Sequence, residues 1–313
     1  MATCGVIGAG LIGRAWAMVF ARAGWNVQIT DVSEAARAAA PKLLADALAD
    51  QARHGLVEDV AACLARIKVA ATLEDAVKGV DFVQECGPET VEAKIALFEK
   101  LDAAAPAAAI LSSSSSAIVA SKYTENLKGR ARCLVGHPVN PPHLVPIVEL
   151  CPSPWTSPET MKRARAIYDE IGQVPITVNR EIEGFILNRL QGALLAEAFR
   201  LVEDGVVSAE DLDKTICEGL GLRWSFMGPF ETIDLNAPGG IADYCDRYTG
   251  FYKRLQADPA KPAVYEKAET DKIVAGWSEG AKPGPDHAAK SRWRDERLAA
   301  LAAFKRKQKP FKG

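Results

Sequence analysis

A strand, a glycine-rich turn and a helix at the start of the chain constrain its fold more than any other feature. Gly8, Gly10 and Gly13 form the pattern G-x-G-x-x-G between an apolar run at residues 4–7 and a helical pattern over 11–23. The first glycine permits a tight turn, the second admits a pyrophosphate close to the backbone, and the third packs the helix on the strand. Free N–H groups at the start of the helix attract phosphate. The pattern therefore predicts a dinucleotide-binding unit.

An acidic residue ends the second predicted strand. Asp31 lies eighteen positions after Gly13 and closes the apolar run 27–30. A carboxylate at this position accepts hydrogen bonds from ribose hydroxyls and repels a 2′-phosphate, so we expect NAD rather than NADP. FAD shares the glycine pattern and is the main alternative at this point. The expected cofactor-binding residues are Gly8, Gly10, Leu11, Ile12, Gly13, Asp31, Glu89 and Lys94.

Short apolar runs alternate with helical patterns as far as residue 183. This alternation is typical of a parallel sheet covered by helices. After the first two strands, further strands are expected at 67–70, 81–85, 108–112, 133–136, 147–150 and 176–178, and helices at 34–66 (broken near His54), 90–101 and 158–171. The succession predicts a Rossmann-type NAD-binding domain over residues 1–183, with a doubly wound, mostly parallel sheet.

Strand signals largely stop at Gly184, which predicts a smaller, all-helical C-terminal domain over residues 184–313. The helical pattern at 185–202 carries apolar side chains on two faces. A helix of this kind needs to be covered from two sides. Its own domain covers one face of this helix, and we expect a second surface to cover the other face.

Composition excludes several classes of protein. Hydrophobic residues make up 48% of the chain, charged residues 25%, and the formal net charge is −2, so no basic field exists for nucleic acid or an anionic membrane surface. No apolar run is long enough to span a bilayer, and the chain opens directly into a strand rather than a signal peptide. The seven cysteines are scattered without ligand-like spacing. They predict reduced thiols in a cytoplasmic protein and no structural metal.

Four stretches stand out at the ends of predicted strands, within a predicted strand or at the start of a predicted helix. They are SSSSS at 112–116, GHPVNP at 136–141, IVE at 147–149 and GFILNR at 184–189. Together they resemble the 3-hydroxyacyl-CoA dehydrogenase superfamily, most closely its branch of lambda-crystallin and L-gulonate 3-dehydrogenase. The resemblance runs from Gly5 to about Tyr248. It implies an NAD-dependent dehydrogenase acting on a 3-hydroxyl group, and a homodimer that forms through the helical domain.

Oxidation of a secondary alcohol needs a base for the hydroxyl proton. Histidine exchanges protons near neutral pH, which suits His137 to this task. Glu149, in the next predicted strand, can orient the ring and stabilise an imidazolium, and the resemblance implies this His–Glu pair. It also implies that Ser116 and Asn188 donate to the substrate oxygen. Ser115 aligns nearly as well as Ser116 and is expected to bind substrate.

The stretch GLRWSFMGPF at 221–230 bears on the substrate. Members that act on acyl-CoA typically carry a shorter, uncharged version, whereas an arginine beside a tryptophan is shared with gulonate and carnitine dehydrogenases. Arg223 offers donors matched to a carboxylate, which a free acid has and a thioester lacks. The alternative is an ion pair with Glu231. In segment 42–66, where the thioester members bind CoA, three cations are diluted by four carboxylates.

Several functions remain open at this point. The leading hypothesis is oxidation of a free 3-hydroxy acid such as L-gulonate to the 3-keto acid. An L-3-hydroxyacyl-CoA dehydrogenase is the first alternative, followed by a carnitine 3-dehydrogenase with an aromatic box for the trimethylammonium group. A non-catalytic, crystallin-like NAD-binding protein is the alternative from another class. The presence of Ser116, His137, Glu149 and Asn188 argues against it.

Overall fold

The computed structural model describes residues 1–277 and 286–308. Their contacts define two compact units: the first contains residues 1–188 and 290–308, and the second the described residues between 189 and 289. The sequence predicts a second domain over residues 184–313, and the second unit is shorter than this prediction at both ends. The turn after Gly184 belongs to the first unit, and so do residues 290–308, because Ala299 is buried there against Leu56 and Leu144.

Eight strands form one sheet in the first unit. They are β1 (Thr3–Ile7), β2 (Asn26–Thr30), β3 (Ile67–Val69), β4 (Phe82–Glu85), β5 (Ile110–Ser113), β6 (Cys133–Pro138), β7 (Ile147–Pro152) and β8 (Val174–Thr177). Their order is β3-β2-β1-β4-β5-β6-β7-β8. β1 to β6 are parallel, β7 is antiparallel to β6, and β8 is parallel to β7. The expected doubly wound, mostly parallel sheet is confirmed.

Seven helices accompany these strands along the chain. They are α1 (Leu11–Arg22), α2 (Glu34–Arg53), α3 (Val60–Ala65), α4 (Leu73–Val77), α5 (Val91–Ala104), α6 (Ser121–Thr124) and α7 (Pro158–Glu170). A serine, threonine or aspartate side chain caps the first turn of α2, α3, α4, α5 and α7. α1 has Gly10 at this position and no side-chain cap. Its first N–H groups are therefore available to a ligand.

The core lies on both faces of the sheet. Neighbouring residues of one strand point to opposite faces, so Phe82 belongs to a cluster with Trp16 and Tyr168, while Val83 belongs to a cluster with Phe98. This explains why the central strands β1, β4, β5, β6 and β7 are buried along almost their whole length rather than at alternate positions. Ligands of such sheets bind where the strand order reverses, outside the carboxyl ends of the strands. Here the reversal lies between β1 and β4. The chain adds β2 and β3 on the side of β1, and it adds β5 to β8 on the side of β4.

The second unit is helical in its described residues. Its helices are α8 (Leu187–Glu203, from residue 189), α9 (Ala209–Lys214), α10 (Gly221–Trp224), α11 (Pro229–Leu235), α12 (Gly240–Leu255) and α13 (Lys267–Gly276), with a π-helical turn at Thr215–Leu220 and a 3-10 turn at Pro262–Tyr265. The last helix, α14 (Asp286–Lys307), contributes to the first unit from residue 290. Among all these described helices, none is both long and apolar enough to cross a membrane.

Candidate active site

His137 and Glu149 occupy directly opposite positions in the antiparallel pair β6–β7. Directly opposite residues of such a pair point to the same face of the sheet and lie close together. Nδ1 of His137 lies 2.7 Å from Oε2 of Glu149. Both side chains are buried, His137 at 6% exposure and Glu149 at 1%. The turn between the two strands thus converts a separation of twelve positions into a hydrogen-bonded pair.

A second set of bonds holds the other oxygen of Glu149. Its Oε1 accepts from the backbone N–H groups of Ile186 at 2.8 Å and Leu187 at 2.9 Å. Burial alone would raise the pKa of Glu149, but the bonds from His137, Leu187 and Ile186 outweigh it and lower the pKa. An ionised carboxylate only accepts hydrogen bonds, so Nδ1 of His137 carries the proton and Nε2 remains as the second ring nitrogen.

A strained turn brings those N–H groups to Glu149. Gly184 and Phe185 both have positive φ angles, 74° and 48°. A phenylalanine in this region costs about 1–3 kcal/mol and is found where the surroundings enforce it. Phe185 is fully buried, and its ring centroid lies 5.4 Å from that of His137. The turn therefore packs against the imidazole and directs two donors to its carboxylate partner.

The serine run divides into buried and exposed members. Oγ of Ser115 lies 2.6 Å from Oε1 of Glu89 and accepts from the N–H of Ile118, and the residue is fully buried. The contacts that the structure shows for this hydroxyl hold the loop together, and a contact of Ser115 with substrate stays a prediction. Ser116 is exposed, and its carbonyl accepts from Nδ2 of Asn188 at 2.7 Å. The structure thus brings Ser116 and Asn188 together.

Lys94 and Glu89 lie beneath this serine loop. Nζ of Lys94 lies 3.0 Å from Oε2 of Glu85 and 3.6 Å from Oε2 of Glu89, and the lysine is 1% exposed. Glu89 also accepts from the N–H of Ser116. Both residues were expected at the cofactor, but the contacts that the structure shows are with protein groups that support the loop. A direct contact with the cofactor stays a prediction.

Glu85 was missed by the sequence analysis. It ends β4, is fully buried, and accepts from Lys94, from the hydroxyl of Ser113 at 2.5 Å and from the N–H of Gly87 at 2.6 Å. The available signal was a carboxylate at the end of an apolar strand, a position at which buried charge requires a partner. The lysine nine positions later supplies that partner.

The glycine turn has the shape that a dinucleotide requires. Gly8 has a φ angle of 110°, and a Cβ there would lie 2.6 Å from the carbonyl oxygen of Cys86. A Cβ at Gly13 would lie 1.8 Å from the carbonyl oxygen of Gly8. At Gly10 the space is open, with no heavy atom within 4 Å of a Cβ. This open position at the uncapped start of α1 fits the pyrophosphate of a dinucleotide. Leu11 is exposed and Ile12 half-buried in the same turn.

A cavity of about 670 Å3 adjoins this turn, and Asp31 lines it. The carboxylate of Asp31 accepts from the N–H groups of Ala9 at 2.7 Å and Ser33 at 2.8 Å. These bonds hold it beside Gly8 and Gly10, which line the same cavity. The residues present therefore fit a dinucleotide with an unphosphorylated ribose.

Arg223 lies in the second unit, on α10, and is exposed. It forms no ion pair with Glu231 or with any other carboxylate in the described ranges. The alternative interpretation of Arg223 as half of that pair is therefore not supported. Trp224 and Phe226 next to it are also exposed, at 40% and 69%.

Comparison with known proteins adds to this geometry. Residues 3–182 match the NAD binding domain of 3-hydroxyacyl-CoA dehydrogenases, and residues 184–274 match the C-terminal domain of the same family. Lambda-crystallin of Oryctolagus cuniculus is 40% identical over 309 residues, covering 97% of this chain and 97% of the relative. An L-carnitine dehydrogenase of Pseudomonas putida is 36% identical over 300 residues, covering 96% of this chain and 92% of the relative.

A solved structure is similar over almost the whole chain. It is the NAD+-dependent dismutase 5-formyl-3-hydroxy-2-methylpyridine 4-carboxylic acid 5-dehydrogenase, with a TM-score of 0.84 and 28% sequence identity. The similarity covers 99% of this chain and 100% of the other. The matching family, the Pseudomonas putida relative and this solved structure are thus all dehydrogenases.

Proposed function

The chain belongs to the 3-hydroxyacyl-CoA dehydrogenase family, and we propose that it oxidises the 3-hydroxyl of a small free hydroxy acid, such as L-gulonate, to the 3-keto acid. It is an NAD-dependent oxidoreductase that acts on CH–OH groups. The substrate and the roles of individual residues are the proposal. The observation that carries it is the buried His137–Glu149 pair at 2.7 Å.

In this proposal His137 is the general base. Glu149 accepts from Nδ1, so Nε2 of His137 is the nitrogen that takes the hydroxyl proton. The ring becomes a cation as it does so, and the adjacent carboxylate stabilises that charge. Because Ile186 and Leu187 hold the other oxygen of Glu149, the carboxylate does not rotate away during the transfer. Bound NAD accepts the hydride.

Two further groups orient the alcohol. Asn188 already donates to the carbonyl of Ser116, which places its amide at the serine loop. The hydroxyl of the exposed Ser116 and the amide of Asn188 are the proposed donors to the substrate oxygen. Lys94 and Glu89 position this loop from below. Gly8, Gly10, Gly13 and Asp31 are the residues proposed to hold the pyrophosphate and ribose of NAD.

Two observations favour a free acid over a CoA thioester. Near its end, the segment that the thioester members use for CoA packs against α14: Ala299 is buried against Leu56, and Nη1 of Arg306 donates to the carbonyl of Leu56 at 3.4 Å. Arg223 is a guanidinium without a carboxylate partner among the described residues. The dehydrogenase whose solved structure is similar to this chain is named for a free carboxylic acid. We therefore propose Arg223 as the carboxylate-binding residue.

The test is NADH formation by the purified full chain with NAD. L-Gulonate, 3-hydroxybutyrate, L-carnitine and 3-hydroxybutyryl-CoA are compared as substrates. We expect turnover of a free acid, and an increase in KM of about tenfold or more in Arg223→Gln, since a charge-assisted bond is lost. Lys261→Gln is the matched control, because it removes one exposed positive charge from the same unit.

Each other outcome favours a named alternative. Preference for 3-hydroxybutyryl-CoA would overturn the free-acid proposal and favour an L-3-hydroxyacyl-CoA dehydrogenase. Preference for L-carnitine would favour the activity named for the Pseudomonas putida relative. Binding of NAD without turnover of any hydroxy compound would favour a crystallin-like, non-catalytic protein.

We also propose a homodimer that forms through the helical unit. Large apolar side chains remain exposed there, including Leu190 on α8 at 65%, Phe230 at 73% and Leu235 at 68%. A second copy would cover the unburied side of α8, as the two-faced pattern of this helix predicts. Light scattering at micromolar concentration is expected to give the mass of two chains, and a monomer would contradict the proposal. A cytoplasmic location stays a prediction from the scattered cysteines.

A further inference from the structure

A second cavity in the first unit, of about 610 Å3, takes no part in the site described above. It adjoins Arg22, the last residue of α1, whereas the glycine turn adjoins the first. The 12 residues of α1 place these two ends about 18 Å apart. No residue lines both this cavity and the one beside the glycine turn. Three arginines line it, namely Arg22, Arg66 and Arg306, and we refer to it as the arginine cavity.

None of these arginines forms an ion pair within the described residues. Nη1 of Arg22 donates to Oε1 of Gln51 at 3.0 Å and to the carbonyl of His143 at 3.2 Å. Arg66 and Arg306 each donate through Nη1 to one backbone carbonyl. In all three, Nε and Nη2 have no recorded partner in the described part of the chain. Each guanidinium therefore retains donors for a ligand.

The charge of Arg22 is not neutralised by its surroundings. Burial, followed by the positive charge of Arg306, lowers the pKa of Arg22 to about 10. Two guanidinium groups close enough to disfavour each other's charge are stabilised by an anion between them. One group comes from α1 and the other from α14, so such an anion would also join these helices.

Three carboxylates also line the arginine cavity, and two of them accept hydrogen bonds from groups other than the three arginines. Oδ1 of Asp59 accepts from the N–H of Ala62 at 2.8 Å and caps α3. Oε1 of Glu170 accepts from Nε1 of Trp25 at 2.9 Å. The third, Glu58, is exposed. None of the three is recorded in an ion pair with a lining arginine.

We propose that the arginine cavity binds a phosphate-bearing small molecule, with the phosphate held by Arg22, Arg66 and Arg306. The fork of a guanidinium matches two oxygens of an anion. A phosphate monoester presents three terminal oxygens and serves three such groups, whereas a single carboxylate presents two. The cavity volume lies in the range of small-molecule sites. Leu56 and Arg66 belong to segment 42–66, which the thioester members use for CoA, so this proposal rests on the free-acid function proposed above.

The experiment uses the full chain in the presence of saturating NAD, which occupies the other phosphate-binding site. Calorimetric titrations with inorganic phosphate and with pyrophosphate are made at constant ionic strength, and citrate is the carboxylate probe. We expect saturable binding of one phosphate probe per chain. Arg66→Gln and Arg306→Gln should each weaken it about tenfold. Lys307→Gln, which removes the same charge from α14 beside Arg306, should leave it unchanged.

Three results would overturn the proposal. Absence of saturable binding by phosphate and pyrophosphate in the millimolar range is the first. The second is binding that occurs only when NAD is omitted and that Arg306→Gln leaves unchanged, which would assign the probe to the glycine turn. The third is citrate binding that is tighter than phosphate binding and equally sensitive to both variants, which would identify a carboxylate ligand. Circular dichroism of each variant confirms that it is folded, and the two variants alter different elements.

Discussion

Glu149 lies opposite His137 in an antiparallel strand pair, and its two oxygens divide their partners between the imidazole and the start of α8. One oxygen fixes which ring nitrogen carries the proton. The other is fixed by two backbone N–H groups. The pair is thus built from three segments, β6, β7 and the turn after Gly184, and each of them is needed to place a single proton-accepting nitrogen.

Replacement of either member of this pair tests its role. We expect His137→Gln and Glu149→Gln to lower kcat by about 10²- to 10⁴-fold, since the first removes the base and the second its orientation. NAD affinity should change little, because neither side chain lines the cofactor cavity. Steady-state kinetics and NAD titration measure both quantities. Glu183→Gln, an exposed carboxylate next to the turn, is the control. Loss of NAD affinity in His137→Gln would indicate a structural role instead.

Gly136, next to His137, is predicted to tolerate no side chain. A Cβ there would lie 2.2 Å from the hydroxyl oxygen of Tyr168 and 2.5 Å from Oγ of Ser112. Both groups are buried and bonded to each other at 2.8 Å, so Gly136→Ala should destabilise the protein by about 1–3 kcal/mol. Urea denaturation measures the free energy of unfolding. Gly192→Ala, where a Cβ meets no atom within 4 Å, is the control. Equal stability of both variants would show that Tyr168 can move aside.

We predict that Asp31 prevents NADP from binding. Once Asp31 is replaced, we expect Arg37 to bind the 2′-phosphate of NADP. The guanidinium of Arg37 is held by the carbonyl of Asp31 and lines the same cavity. In Asp31→Ser we expect NADP to bind at least about tenfold more tightly than in the parent protein, because a 2′-phosphate loses a repelling carboxylate and gains a guanidinium. The double variant Asp31→Ser/Arg37→Gln should lose this gain. Fluorescence titration with NADP decides; a gain that survives in the double variant would exclude Arg37.

His143 is predicted to make stability depend on pH. Burial, followed by Arg22 and Arg294, lowers its pKa to about 4, and its Nδ1 has no hydrogen-bond partner among the described residues. As the pH falls, His143 therefore takes up a proton near pH 6.5 in the unfolded chain but only near pH 4 in the folded protein. The stabilisation is complete above pH 6.5 and decreases as the pH falls between these values.

The size of this effect is about 3 kcal/mol at most, from the difference between the two pKa values. Chemical denaturation from pH 7 to pH 4 should show a smaller loss of unfolding free energy in His143→Gln than in the parent protein. His54→Gln serves as the control for removal of a histidine. Parallel pH profiles of His143→Gln and the parent protein would contradict the prediction.

The order of residues along the chain was enough to predict the fold class and much of the site. Each of the eight strands was expected within a few residues of its position, because the strands contain short apolar runs and glycine, proline and capping residues mark their ends. The glycine turn and Asp31 were recognised because backbone geometry limits which residues can stand there. The pairing of His137 with Glu149 was predicted from the resemblance to the family, and the antiparallel register of β6 and β7 places the two residues opposite each other.

Long-range packing determines which side chains are buried in contacts with protein groups and which are exposed. Ser115 and Ser116 are adjacent and identical in type, yet burial directs one hydroxyl to Glu89 and leaves the other exposed. Lys94 belongs to an ion pair that forms only when α5 packs over β4. Arg22 and Arg306 are 284 positions apart and meet in one cavity because α14 returns to the first unit. Local sequence carries no information on such long-range packing, since it depends on what every other segment leaves uncovered.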